Sequence, residues 1–133
     1  MEAEQRALVQ AWWTKSCHDL AAVRLLLAAE PPALDIAVYH SQQAAEKAIK
    51  AWLVWKEMPF PKTHDLNRLL GLCAPLEPAF ESLRPHAAFL NPFAAEFRYP
   101  GDVSEPTRED AFEALRLAAE VLEFMIHQCP FLT

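Results

Sequence analysis

The stretch Tyr39-His40-Ser41-Gln42-Gln43-Ala44-Ala45-Glu46-Lys47-Ala48-Ile49-Lys50-Ala51-Trp52 decides the fold. At about 100° per residue, Ala37, Ser41, Ala44, Ala45, Ala48 and Trp52 share one face of a helix. Small side chains there let neighbouring helices approach closely. His40, Gln43, Lys47 and Lys50 fall on another stripe, flanked by Tyr39 and Glu46. The spacing predicts a helix over residues 34–57, ended by Met58-Pro59-Phe60-Pro61.

Apolar spacing of the helical kind continues on both sides. Leu8, Trp12, Val23 and Leu27 predict a first helix over residues 3–29, stopped by Glu30-Pro31-Pro32. Asp19 lies near the middle of that apolar row, where a carboxylate is costly unless paired. It fits an inter-helix ion pair, a rim position or a polar site. Thr63 is the expected N-cap of a short third helix, with Asp65 in its first turn and Leu66, Leu69 and Leu70 inward. A fourth helix is expected over residues 79–90. Residues 91–106 read as one long irregular stretch with a Pro-Gly turn. Thr107-Arg108-Glu109-Asp110 has capping-box spacing and opens the last helix, which presents Ala111, Leu115, Ala118, Leu122 and Met125 inward. The expected fold is all-α, an antiparallel up-and-down bundle of four to five helices in one domain spanning residues 1–133.

Composition agrees. The chain of 133 residues is 53% hydrophobic and has only two glycines, Gly71 and Gly101, which suits helices and not hairpins. Its formal net charge of −6 argues against general electrostatic binding of long nucleic acid. Cys17, Cys73 and Cys129 form no disulfide framework or metal-ligand pair and read as reduced thiols. No stretch is apolar and long enough to span a membrane, and the start lacks the basic residues of a signal peptide. The expected location is the cytoplasm, with no membrane partner.

The stripe of His40, Gln43, Lys47 and Lys50 could bind a phosphate or nucleotide, or form a polar contact between subunits. It could equally be a solvated face with Glu46 and Lys50 as an i,i+4 pair. His64 could point at an anion, and with Asp65 it could simply belong to a capping segment. Arg98, beside Tyr99, suits bidentate contact with phosphate but could instead anchor its loop. There is no glycine-rich phosphate loop and no Gly-x-Ser-x-Gly elbow. The spacing of His18, His40, His64, His86 and His127 suggests no metal. No cofactor is expected.

Residues 39–51 resemble the signature helix of the HEPN domain family. Asp19-Leu20, Thr63-His64-Asp65-Leu66 and Arg98-Tyr99-Pro100 resemble further motifs of that family, in the same order and spacing. The resemblance covers nearly the whole chain. It implies a helical bundle that forms a homodimer or higher oligomer and has a role around nucleotides or RNA. Many members are encoded beside a small nucleotidyltransferase, as toxin–antitoxin or related pairs. The RNA-cutting branch carries an Arg followed, after four to six residues, by a His. None of Arg6, Arg24, Arg68, Arg84, Arg98, Arg108 and Arg116 has such a histidine. The resemblance therefore implies a non-catalytic nucleotide-binding module or nucleotidyltransferase partner, with His40, Gln43, Lys47, Lys50, His64, Asp65, Arg98 and Tyr99 as ligand-binding candidates. The alternatives are a metal-independent RNase toxin with a non-standard site and a purely structural oligomerisation domain.

Overall fold

In the computed structural model of the chain, residues 1–95, 100–101 and 105–132 are described. The helices are α1 (Ala3–Ala28), α2 (Leu34–Trp55), α3 (Leu66–Cys73), α4 (Arg84–Leu90) and α5 (Arg108–Gln128). Two 3₁₀ segments, Pro78–Leu83 and Asn91–Ala94, flank α4. Among the described residues there is no strand and no helix long and apolar enough to cross a membrane.

Short connections set the directions. Gln5 Nε2 near the start of α1 donates to the carbonyls of Val54 and Trp55 at the end of α2. The guanidinium of Arg6 lies 5.7 Å from the ring centroid of Phe131, just beyond α5. Thus α1 is antiparallel to both α2 and α5, and α3 and α4 make the return between α2 and α5. Helix α2 is the central element: it packs on α1, α5, α3 and α4. Its alanine face is fully buried.

The inward row of α1 differs from the expected one. Val9, Trp13, Leu20, Val23 and Leu27 are buried, whereas Leu8 is exposed and Trp12 lies at the rim. Two overlapping apolar rows run along α1, and only the row facing α2 and α5 is covered. Leu115 of α5 is likewise only partly buried.

The fourth helix is also different. Residues 78–83 form a 3₁₀ segment, and the α-helix starts at Arg84 with Pro85 in its first turn. Proline is tolerated there because its missing N–H needs no partner; inside one continuous helix it would break a hydrogen bond and clash. The N-cap of α3 is Asp65, not Thr63. Its Oδ1 accepts from the N–H groups of Asn67 and Arg68, while Thr63 Oγ1 accepts from the N–H of Asp65. The capping box of α5 is present at Thr107 and Asp110. The expected irregular stretch after α4 begins as a 3₁₀ turn.

Helix α2 ends in a Schellman motif: Met58 N–H reaches Leu53 O at 2.9 Å and Glu57 N–H reaches Val54 O at 3.0 Å. This motif wants a left-handed residue at the position of Glu57, whose φ is 54°, and glycine takes that conformation most readily. Glu57→Gly should therefore raise stability by roughly 0.5–1 kcal/mol, measured by urea unfolding; a loss of stability would contradict this reading of the turn.

Candidate functional site

The polar stripe of α2 lies against α1 and the segment before α3, and it holds two buried carboxylates. The first is Asp19, from the middle of α1. Its Oδ1 is 2.8 Å from His40 Nδ1 and its Oδ2 is 2.7 Å from Lys47 Nζ. Next to it, Ser16 Oγ donates to Ala44 O at 2.6 Å, so α1 and α2 are tied by hydrogen bonds in their buried seam. Asp19 thus makes the inter-helix ion pair that its place in an apolar row requires.

The second carboxylate is Glu46, only 3% exposed. Its Oε2 is 3.0 Å from Lys50 Nζ, and its Oε1 is 2.8 Å from His64 Nδ1. Gln42 Nε2 lies 3.3 Å from the same Oε1 and 2.9 Å from His64 O, so one amide fixes both the acid and the backbone that presents the imidazole. Gln43 Nε2 donates to Gln42 Oε1 at 2.7 Å.

Glu46 and Lys50 form the i,i+4 pair that one reading of the stripe allowed, but the pair is buried and not solvated. Lys50 is 6% exposed, and its ammonium lies 5.5 Å and 5.6 Å from the ring centroids of Trp12 and Phe60. It is a paired interior cation capped by two aromatic rings. Gln43 is buried as well. Both are candidates for ligand contact, and both offer little surface: Lys50 is covered by Trp12 and Phe60, and Gln43 bonds to Gln42 of its own helix. Asp65 is committed to local structure: it caps α3 and accepts from Asn91 Nδ2 at 2.9 Å. The Asn91 amide, with the N–H groups of Arg68 and Asn67, holds its carboxyl below the usual range despite opposing desolvation. Asn91 Oδ1 in turn accepts from Leu66 N–H at 2.8 Å. Arg98 and Tyr99 lie outside the described residues.

The candidates that keep an open edge are His40, Lys47 and His64, the last with 67% of its side chain exposed. Each imidazole uses Nδ1 on a carboxylate, and Nε2 has no partner among the described residues. Counting charges, Asp19 and Glu46 offset Lys47 and Lys50. Any net positive charge of the cluster therefore comes from the two imidazoles.

Gln42, Trp12 and Phe60 were not singled out from the sequence. Gln42 gives no signal beyond being one more polar residue on an alanine-rich helix, and Trp12 reads as core. Burial pushes the Cys73 thiol up to about 12 and raises Cys17 and Cys129 too, so the thiolate form is disfavoured at all three. No group of three His, Cys, Asp or Glu among the described residues is arranged to hold a metal ion.

Comparison with known proteins agrees with this architecture. The structure resembles that of TT1696 from Thermus thermophilus, with 26% identity and a TM-score of 0.75, over 90% of this chain and 97% of that one. It also resembles ST0689, an archaeal HEPN homologue, with 26% identity and a TM-score of 0.70, over 90% and 96% of the two chains. No protein of curated function matches. The HEPN domain family matches residues 9–128, which include all of α2, α3, α4 and α5 and most of α1. The chain belongs to the HEPN domain family.

Proposed function

We propose that this HEPN domain is a non-catalytic binding module for a phosphate-bearing ligand, a nucleotide or an RNA end, and that it works beside a small nucleotidyltransferase in a two-component, toxin–antitoxin-like pair. The supporting observation is the trio His40, Lys47 and His64. Each is held by a nearly buried carboxylate while keeping hydrogen-bond capacity toward solvent. Burying Asp19 and Glu46 is costly, and apolar residues of similar volume could fill the same seam without that cost. The return is a set of donors fixed in place, which lowers the ordering cost of binding an anion. The nucleotidyltransferase pairing rests on the family resemblance.

Calorimetry with nucleoside triphosphates tests the reading. Binding should weaken on Lys47→Ala by about 10-fold or more, the worth of one charge-assisted hydrogen bond. If the wild-type protein binds none of them, alone or with a co-encoded nucleotidyltransferase, the nucleotide reading is wrong.

One observation favours a second reading, a metal-independent RNase. A carboxylate on Nδ1 is how an imidazole is oriented as a general base at Nε2, and Glu46–His64 and Asp19–His40 both have that form. Cleavage of total RNA or tRNA that disappears on His64→Ala would select the enzyme.

A further inference from the structure

Trp12 does more than cover Lys50. Leu8, Ala11, Trp12 and Lys15 line a shallow groove of about 240 Å³ on the surface of α1, and its lining is almost wholly apolar. Leu8 is 51% exposed, Ala11 and Lys15 are exposed, and Trp12 is half-buried. These positions follow one another at i, i+3, i+4 and i+7 of one helix, so they make a continuous patch and not scattered surface hydrophobics. Asp19 continues the same stripe one turn after Lys15. It is the carboxylate that holds His40 and Lys47. The apolar groove and the polar edge therefore lie end to end along one face of α1. From Trp12 to Asp19 the helix rises about 10 Å.

An apolar groove by itself suits any apolar group, and two features narrow the choice. The charged member of its lining, Lys15, makes no ion pair among the described residues, whereas Lys47 and Lys50 are each offset by a carboxylate. Lys15 also stands between Trp12 and Asp19 along the helix, on the way from the groove to the polar edge. An occupant that uses the whole stripe needs a flat apolar part joined to an anionic part. A heteroaromatic base carrying phosphate has that form. Its π-face stacks on an aromatic side chain, and its phosphate takes charge-assisted hydrogen bonds from lysine. A second cavity, beside α4 and α5, has the opposite chemistry: Glu120 and Glu123 are in its lining, and their charge repels phosphate.

We infer, resting on the reading of the His40–Lys47 edge as a phosphate site, that the α1 groove holds the base of a nucleoside phosphate. Trp12 is the stacking platform and Leu8 its apolar neighbour. Lys15 meets the phosphate chain as it leaves the groove, and Lys47 and His40 take its far end. The groove supplies what the polar edge lacks, a means of telling a nucleotide from inorganic phosphate. Stacking is tolerant of base identity, because every base has a π-face, so the groove selects for a base and not for one base. A free nucleotide and the 5′ end of an RNA share this chemistry.

Calorimetric titration of the full chain with ATP and with tripolyphosphate tests the inference. Tripolyphosphate has the same phosphate chain without the base, so charge alone does not favour ATP. The wild type should bind ATP at least about 10-fold more tightly, as one base–aromatic stack provides. Trp12→Ala should abolish that preference and leave the affinity for tripolyphosphate unchanged. Trp12→Phe keeps a ring and should retain most of the preference. Equal wild-type affinities for the two ligands overturn the inference and leave the phosphate reading standing. A wild-type preference in Trp12→Ala also overturns it, because the base is then held elsewhere. Binding of neither ligand overturns both readings. If Trp12→Ala loses its helical circular dichroism, Leu8→Ser takes its place under the same criterion. A 5′-phosphorylated dinucleotide in the same titration separates the two sources. Binding tighter than ATP, with the same loss in Trp12→Ala, supports an RNA end, and weaker binding supports the free nucleotide.

Discussion

Glu46→Ala should cost about 3–5 kcal/mol of folding stability, read from urea unfolding at neutral pH. The substitution removes the one carboxylate that pairs with Lys50 among the described residues and leaves a buried ammonium between Trp12 and Phe60 without that counter-ion. It also takes away the acceptor of His64 Nδ1 and of Gln42 Nε2. The loss should respond little to salt, because a pair with 8% and 3% side-chain exposure is poorly screened. The double substitution Glu46→Leu with Lys50→Met should recover most of the loss, since apolar groups of similar volume often replace a buried pair without penalty. It should still abolish ligand binding if the orientation of His64 matters. A single substitution that costs under about 1 kcal/mol would mean that the pair behaves as a solvated one and would remove the physical basis of the site.

Trp52→Ala has an expected effect of similar size, about 3–5 kcal/mol, with a different cause. Trp52 is fully buried; its ring centroid is 4.5 Å from Phe80 and 6.4 Å from Trp55. It joins α2 to the 3₁₀ segment Pro78–Leu83, and Phe80 carries the contact on to Phe124 of α5 at 5.0 Å. Removing the indole opens a cavity where three elements meet. Its Nε1 has no hydrogen-bond partner among the described residues, so the native residue already bears the cost of an unmet donor. Trp52→Phe should therefore cost far less than Trp52→Ala. Equal losses for the two substitutions would show that a hydrogen bond from Nε1, and not the ring volume, carries the energy.

Much of the fold was legible along the chain because its signals are local. Alanines at helical spacing, prolines between the periodic stretches and the Thr107–Asp110 capping box specify helices and ends without reference to distant residues. The errors arose where a neighbour decides. Trp12 and Trp13 are equally apolar in sequence, and only the placement of α1 on α2 determines that Trp13 enters the core and Trp12 covers Lys50. Thr63 and Asp65 are both good caps, and Asn91 from the far end of α4 selects Asp65.

The candidate site divides the same way. The sequence by itself determined that α2 would carry His40, Gln43, Lys47 and Lys50 in a row, flanked by Glu46, on an otherwise small-residue helix, because spacing of about 100° per residue is a property of the backbone alone. It left open whether the row was free or paired. That depends on side chains 18 to 28 positions away in the chain, Asp19 for His40 and Lys47 and His64 for Glu46. The tertiary structure decided it by laying α1 over one side of the row. A charge taken out of water must find an opposite charge or a hydrogen bond, so Lys50 became interior framework, and His40, Lys47 and His64 kept the edge that faces solvent.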